Sequence, residues 1–286
     1  MNYVYPIIVA EIGNCHLADM NRAKKLIRLA ASCDVDYVKS QKRNPEESTP
    51  KRLWDQPHPN QMFAYGKTYL EHRKNLELSI DQHKILYDYS LNQHVKYALS
   101  VWDLTSAKEV VNNLSLDYIK IPSACNLHFD LIDYISQSSS VDIHISLGMI
   151  DVEIDSVINF LLSKNLQNRV VLYHCTSSYP CSFEEMYLLQ IKKYIDLYSN
   201  LGFRIGFSNH GLGIAGETAA YILGAQWFER HFIDDRTIKH TDAINSVEPD
   251  GMRRITRDLK SILLALKYKS CVTENEKKEA KKLRNY

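Results

Sequence analysis

Short runs of β-branched, aliphatic and aromatic residues recur along the chain, separated by longer stretches in which apolar residues return every three or four positions. The runs at 7–12, 37–41, 97–101, 118–121, 143–147, 170–174, 204–207 and 226–229 predict eight strands. The amphipathic stretches at 21–32, 80–91, 106–113, 152–163, 183–198, 213–223 and 249–268 predict helices. Near-continuous apolar strands separated by helical stretches point to a parallel sheet, because parallel strands need a crossover and helices then cover both faces. Eight evenly spaced strand-helix units with no long terminal domain left over predict a single-domain α/β fold, a (β/α)8 TIM barrel over 1–270.

Two segments break the even spacing. Residues 43–79 are rich in Pro, His, Tyr and charge, including Trp54-Asp55-Gln56-Pro57-His58-Pro59-Asn60 and Tyr65-Gly66-Lys67-Thr68-Tyr69. A connection this long inside a compact domain is functional or disordered, and its aromatic content favours a lid or a subunit contact. The charged tail at 271–286 reads as a terminal helix or a frayed end.

Composition narrows the partners. With 35 Lys+Arg against 34 Asp+Glu the formal net charge is +1, so no global field argues for nucleic acid or an anionic membrane, and an anion must be held by a local site. No apolar run approaches the roughly 18 to 20 residues of a membrane span. The six cysteines show no paired spacing and no leader precedes Tyr5-Pro6-Ile7, which together predict a reducing, cytoplasmic setting.

In a barrel of this kind the chemistry collects where strands end. Here those ends are polar: Glu11, Lys39 and Gln41, Lys120 and Ser123, Ser146, Ser177 and Tyr179, Ser208 and His210, and His231. His210 and His231 end adjacent strands and can point into one mouth, where imidazole suits a divalent metal; a lone histidine after a strand is more often structural. Asp242 follows in a polar loop, as ligand, orienting group or turn former. Lys39 and Lys120 would need an anion or a carboxylate beside them; with the serines they can cradle a phosphate, or they can pair with Glu11 or Asp103. Glu11 is placed for proton transfer or for gripping hydroxyls, and equally for neutralising Lys39.

These residues resemble a known family. Ala10-Glu11-Ile12-Gly13 with His16, Val38-Lys39-Ser40-Gln41, Ile119-Lys120-Ile121-Pro122-Ser123 and Ile145-Ser146-Leu147-Gly148-Met149 are similar to strand ends of the N-acetylneuraminate (sialic acid) synthases. So are His174-Cys175-Thr176-Ser177-Ser178-Tyr179-Pro180, Gly206-Phe207-Ser208-Asn209-His210, Phe228-Glu229-Arg230-His231-Phe232, Asp242 and Ser246-Val247-Glu248-Pro249-Asp250. The ordered set spans about 5–270. The resemblance implies a metal-dependent transferase, with Mn2+ or Mg2+ polarising an open-chain sugar aldehyde while C3 of phosphoenolpyruvate attacks it. Water then adds and phosphate leaves by carbon-oxygen cleavage, giving a sialic-acid-like α-keto acid sugar. It implies metal ligation by His210 and His231, phosphoenolpyruvate held by Lys39, Lys120, Ser123, Ser146 and Ser208, and Gln41 and Ser177 lining the same pocket. Glu11, Asp242 and Lys120 take the catalytic roles, Tyr179 borders the acceptor, and the family implies a homodimer.

Departures from the pattern point to an altered acceptor pocket. Cys15 replaces the family's asparagine before His16, Ala124-Cys125-Asn126 stands where an acidic residue is usual, and Ser100-Val101-Trp102-Asp103 puts a new carboxylate at the mouth. The length of the chain predicts no room for the antifreeze-like domain that the resemblance would append, which makes the 43–79 segment, with Arg52, His58, Tyr65, Lys67 and Arg73, the expected substitute for gripping the acceptor. A phosphorylated acceptor would need a second cluster of cations, and outside that segment the sequence offers none, so an unphosphorylated sugar is expected. A synthase of octulosonate or heptulosonate type and a catalytically silent sugar- or partner-binding barrel are the competing readings.

Overall fold

The computed structural model describes residues 3–286. Among them, eight parallel strands close into a barrel in sequence order: β1 Ile7–Gly13, β2 Tyr37–Lys42, β3 Lys96–Val101, β4 Tyr118–Ile121, β5 Asp142–Ser146, β6 Val170–Cys175, β7 Arg204–Asn209 and β8 Trp227–His231. β8 closes on β1, with Glu11 level with His231. The helices are α1 Met20–Ala31, the single turn α2 Pro45–Ser48, α3 Tyr69–Lys74, α4 Ile80–Asn92, α5 Leu104–Asn113, α6 Phe129–Ser138, α7 Ile154–Ser163, α8 Leu189–Tyr198, α9 Ala215–Ile222, α10 Pro249–Ala265 and α11 Glu274–Leu283. No helix among the described residues is long and apolar enough to cross a membrane.

Strand alternation sorts the side chains into two cores. Ile8, Val38, Leu99, Ile119, Ile143, Leu172, Ile205 and Phe228 face outward and are buried beneath the helices. Val9, Tyr37, Ala98, Tyr118, Val171, Tyr173 and Trp227 fill the lower interior. His144 joins this floor, stacked on Tyr118 with ring centroids 3.7 Å apart and bonded through Nδ1 to the Tyr173 hydroxyl at 3.0 Å. The Tyr173 ring needs the missing side chain of Gly206, where a Cβ would come within 2.8 Å of it.

The barrel agrees with the expectation, and three local differences have physical causes. β7 and β8 run two residues past the predicted ends, so Ser208 and His231 are strand residues aimed by the ladder; a reading based on apolar runs stops at the first polar side chain. The helix expected over 183–198 begins only at Leu189, because Tyr187 adopts a left-handed conformation (φ 42°) after a short 3₁₀ turn. Helix α6 is additional: it buries Leu131, Ile132 and Ile135, and His128 caps it by accepting from the Leu131 N–H.

The 43–79 segment is ordered by its own contacts. The Trp54 indole donates to the Thr49 carbonyl at 2.9 Å, a capping box joins Thr68 and Glu71 at the start of α3, and His58 packs on His72 and Tyr69. The Tyr65 hydroxyl donates to the Lys239 carbonyl in the β8–α10 connection, and Lys239 Nζ lies 5.1 Å from the Tyr65 ring. The tail forms α11, capped by Thr273 and Glu276.

Candidate active site

At the C-terminal end of the barrel, one alternation above the aromatic floor, two ammonium groups and two carboxylates meet. Lys39 on β2 contacts Glu11 on β1 and donates to Ser100 Oγ at 2.7 Å. Lys120 on β4 donates to Glu229 Oε2 at 2.9 Å, and the same oxygen lies 3.7 Å from Lys39 Nζ. Ser208 Oγ donates to the other Glu229 oxygen at 3.1 Å. All four charged side chains are at most 8% exposed, so a charge without its partner would be costly here. Burial pulls the Lys39 ammonium down to about 8, with Glu229 opposing. Burial also pushes the Glu229 carboxyl up, but Lys120 and Lys39 outweigh it and hold that group well below the usual carboxylate range. The Lys120 ammonium rests 4.1 Å from the centroid of the Tyr173 ring, a cation–π contact that seats it on the floor.

Beside this quartet lies a cradle of hydroxyls. Ser123 Oγ and Ser177 Oγ approach Cys175 Sγ at 3.6 and 3.5 Å. Gly148 leaves room for them: a Cβ there would come within 2.6 Å of the Ser123 hydroxyl and would collide with that of Ser177. Asn126 bonds the carbonyls of Ser146 and Gly148 at 3.0 and 2.9 Å and so fixes the backbone after β5, where Ser146 is buried. Gln41 is half-buried on the same face of β2 as Lys39.

The third part is a pair of imidazoles. The His210 and His231 ring centroids are 5.4 Å apart, with Tyr179 packed at 4.4 Å from His210 and 6.3 Å from His231. His210 Nδ1 donates to the Thr176 carbonyl at 3.0 Å, which leaves Nε2 as the nitrogen available to a ligand; burial lowers the His210 pKa, but Cys175 and the Thr176 carbonyl outweigh it and raise it. His231 Nδ1 is buried with no hydrogen-bond partner among the described residues and stands 3.9 Å from Asp242 Oδ2. Burial holds the His231 pKa down to about 3, with Asp242 opposing, so the ring is neutral and able to ligate. Glu11 Oε1 and Asp242 Oδ2 converge on Gly13, whose absent Cβ would lie 3.2 and 3.5 Å from them. Two imidazoles and a carboxylate are donor types that suit a divalent first-row cation. A second group, Cys15, His240 and Asp242, has donor atoms within 4.8 Å of one another. It fits a metal less well: His240 Nδ1 accepts from the Asp242 N–H and Nε2 bonds Asn14 Oδ1, both at 3.0 Å, and burial pushes the Cys15 thiol up.

All the candidate residues read from the sequence therefore lie at one end of the barrel. Arg52 and Lys67 are exposed, while His58 and Arg73 turn inward. Asp103 corrects the expectation of a new carboxylate at the mouth: it is 1% exposed and is spent accepting from the Ser106 and Asn44 N–H groups, capping α5. Glu229 was not among the candidates, although its spacing of two from His231 places both on the inward face of β8. Arg230 between them faces outward to Glu217 and the Gly211 carbonyl.

The model of the NeuB family matches residues 26–270. The chain belongs to the NeuB family. Human N-acetylneuraminate-9-phosphate synthase is 31% identical over 259 residues, covering 91% of this chain and 70% of that one. The N,N'-diacetyllegionaminic acid synthase of Campylobacter jejuni is 29% identical over 262 residues, covering 91% and 77%. Among solved structures, the N-acetylneuraminic acid synthetase of Leptospira borgpetersenii superposes with a TM-score of 0.78 at 23% identity, covering 99% of this chain and 94% of that one, a likeness of fold. The stretch shared with the NeuB family model holds the lysine–carboxylate quartet except Glu11, and both imidazoles.

Proposed function

We propose that this NeuB-family barrel condenses phosphoenolpyruvate with a sugar aldehyde to give a nonulosonic-acid-type α-keto acid sugar and phosphate. The observation that carries the reading is the adjacency of three parts on one rim: the Lys39–Glu229–Lys120 bridge, the Ser123–Gly148–Ser177 cradle and the His210–His231 pair. The names of the two relatives, one a 9-phosphate synthase and the other a diacetyllegionaminic acid synthase, support the reaction class and differ on whether the product is phosphorylated.

Lys39, Lys120 and Ser208 take the negative charge of phosphoenolpyruvate, with Ser123, Ser146 and Ser177 donating to its oxygens and Gln41 closing the side. Glu229 keeps the two ammonium groups charged and apart until the anion arrives. A divalent cation, Mn2+ or Mg2+, held by His210 and His231 would supply Lewis-acid polarisation of the aldehyde oxygen. Glu11 and Asp242 face each other across Gly13, where a carboxylate can accept a proton from water or a sugar hydroxyl, and Tyr179 borders the acceptor. The test is phosphate release from phosphoenolpyruvate with Mn2+ or Mg2+ across N-acylated hexosamines and plain or phosphorylated aldoses, with and without chelator. Release that needs an acceptor and is abolished by chelator is expected. Metal bound without release for any acceptor would refute the reading in favour of a silent barrel.

A further inference from the structure

The same rim carries a cationic group that the phosphoenolpyruvate site does not use. Arg73, on α3, packs its guanidinium against two rings, 5.4 Å from the Tyr69 centroid and 5.6 Å from that of Trp102. It forms no ion pair and no hydrogen bond among the described residues, and its Nε is buried without an acceptor. Arg43, just beyond β2, stands 5.4 Å from the same Trp102 ring. Its Nε is paired with Glu77 Oε1 at 2.5 Å, yet its Nη2 is also buried without a partner, and so is the Trp102 indole nitrogen. One unpartnered buried donor from each guanidinium and the indole N–H thus cluster at Trp102, with Glu77 paired to Arg43 alone.

A protein of this architecture satisfies buried donors wherever it can, and a buried charge without a counter-ion is among the costliest groups to keep. Stacking on aromatic rings holds a guanidinium in place while leaving its N–H edge free for a planar or tetrahedral anion. Burial, and after it the neighbouring Arg43 charge, pulls the Arg73 pKa down to about 10, with Tyr69 and Glu77 opposing. Arg43 directly follows β2 and Trp102 directly follows β3, so the cluster stands on the C-terminal rim of the barrel. By strand order Trp102, after β3, lies opposite β7, which carries His210 just past its end.

We propose that Arg73 and Arg43, flanking Trp102, form an anion subsite for the acceptor, which therefore carries a phosphate or a carboxylate at the end remote from its aldehyde. The inference rests on the synthase reading for the word acceptor, and its phosphate form stands against the expectation of an unphosphorylated sugar. Arg43 and Arg73 are thirty residues apart in sequence and meet through the fold of the 43–79 segment.

The test is calorimetric binding to the full chain, with chelator and without phosphoenolpyruvate, of three sugars: an N-acylated hexosamine 6-phosphate, a hexuronate and the neutral hexosamine. One of the two anionic sugars should bind tighter than the neutral one by about ten- to a hundredfold, the range of hydrogen bonds to a charged group. Which of the two prevails identifies the anion. Arg73→Met, which keeps the apolar stack, should erase that preference by weakening the anionic sugar; Arg73→Lys, which keeps the charge and loses the fork, should reduce it in part. Equal binding of all three sugars by the unmodified chain, or a preference that survives in both variants, overturns the subsite. Phosphate release is scored separately, so failure of the synthase reading leaves these affinities interpretable.

Discussion

The floor and the mouth of the barrel are built on the same strands two residues apart. One alternation takes the interior from Tyr37 to Lys39, from Tyr118 to Lys120, from Tyr173 to Cys175 and from Trp227 to Glu229. Below, polar atoms are tolerated only inside an aromatic stack, as where His144 lies on Tyr118 and bonds Tyr173. Above, Lys39, Lys120, Glu11 and Glu229 each have an opposite charge within reach. The backbone is the same in both layers, so the contrast teaches that side-chain choice alone divides structural support from chemistry.

The largest effect that would sharpen this contrast is Lys120→Met. It should lower kcat/KM for phosphoenolpyruvate by about a thousandfold or more, as for loss of a charge-stabilising group; steady-state phosphate release measures it, with a urea midpoint alongside because Glu229 loses its nearest partner. His231→Ala should weaken Mn2+ binding by about a hundredfold or more, since one of two imidazole ligands is lost, and a Mn2+ titration followed by electron paramagnetic resonance reads it. In the floor, Gly206→Ala drives a methyl into the Tyr173 ring and should cost about 1–3 kcal/mol of stability, read as a shift in urea midpoint. If Gly206→Ala instead abolished turnover at unchanged stability, the division between the two layers would be wrong.

Acidity tests the support behind the barrel wall. Burial first, then His16 and Lys42, holds the His83 pKa at about 3, against an ordinary value of 6.5. The folded state therefore stays unprotonated where the unfolded chain takes up a proton, so this contribution to stability is intact above 6.5 and is lost as pH falls towards 3. The slope is about 1.4 kcal/mol per pH unit for the single group. Urea midpoints between pH 7 and 5 should fall less steeply in His83→Gln than in the unmodified chain. The smallest effect belongs to Tyr118→Phe, which removes a buried hydroxyl without a partner and should stabilise the protein by up to about 1 kcal/mol.

The strand starts and the barrel were legible in the sequence because apolar runs mark wall residues whatever lies at their ends. The candidate site was legible residue by residue for the same reason: polar side chains that interrupt such runs stand out. What was not legible is how the polar groups pair. Glu229 sits in the same polar strand end as His231, but its bridge to two lysines comes from β2 and β4. Asp103 read as a mouth carboxylate because a helix cap and a catalytic group look alike in sequence; only its two backbone donors distinguish them. His144 is a polar residue inside an apolar run like the others, one layer too deep to meet a substrate.

The link between Tyr65 and Lys239 has a practical consequence for anyone who wishes to move this specificity elsewhere. The segment that carries Arg73 leans on the loop that carries Asp242, so the two form one mechanical part made from distant stretches of chain. A chimera that transplanted 43–79 alone would deliver a cap with no anchorage, and one that exchanged the 239–242 loop alone would leave the cap unmoored. Grafts should carry both, and natural variation in either is expected to track the other.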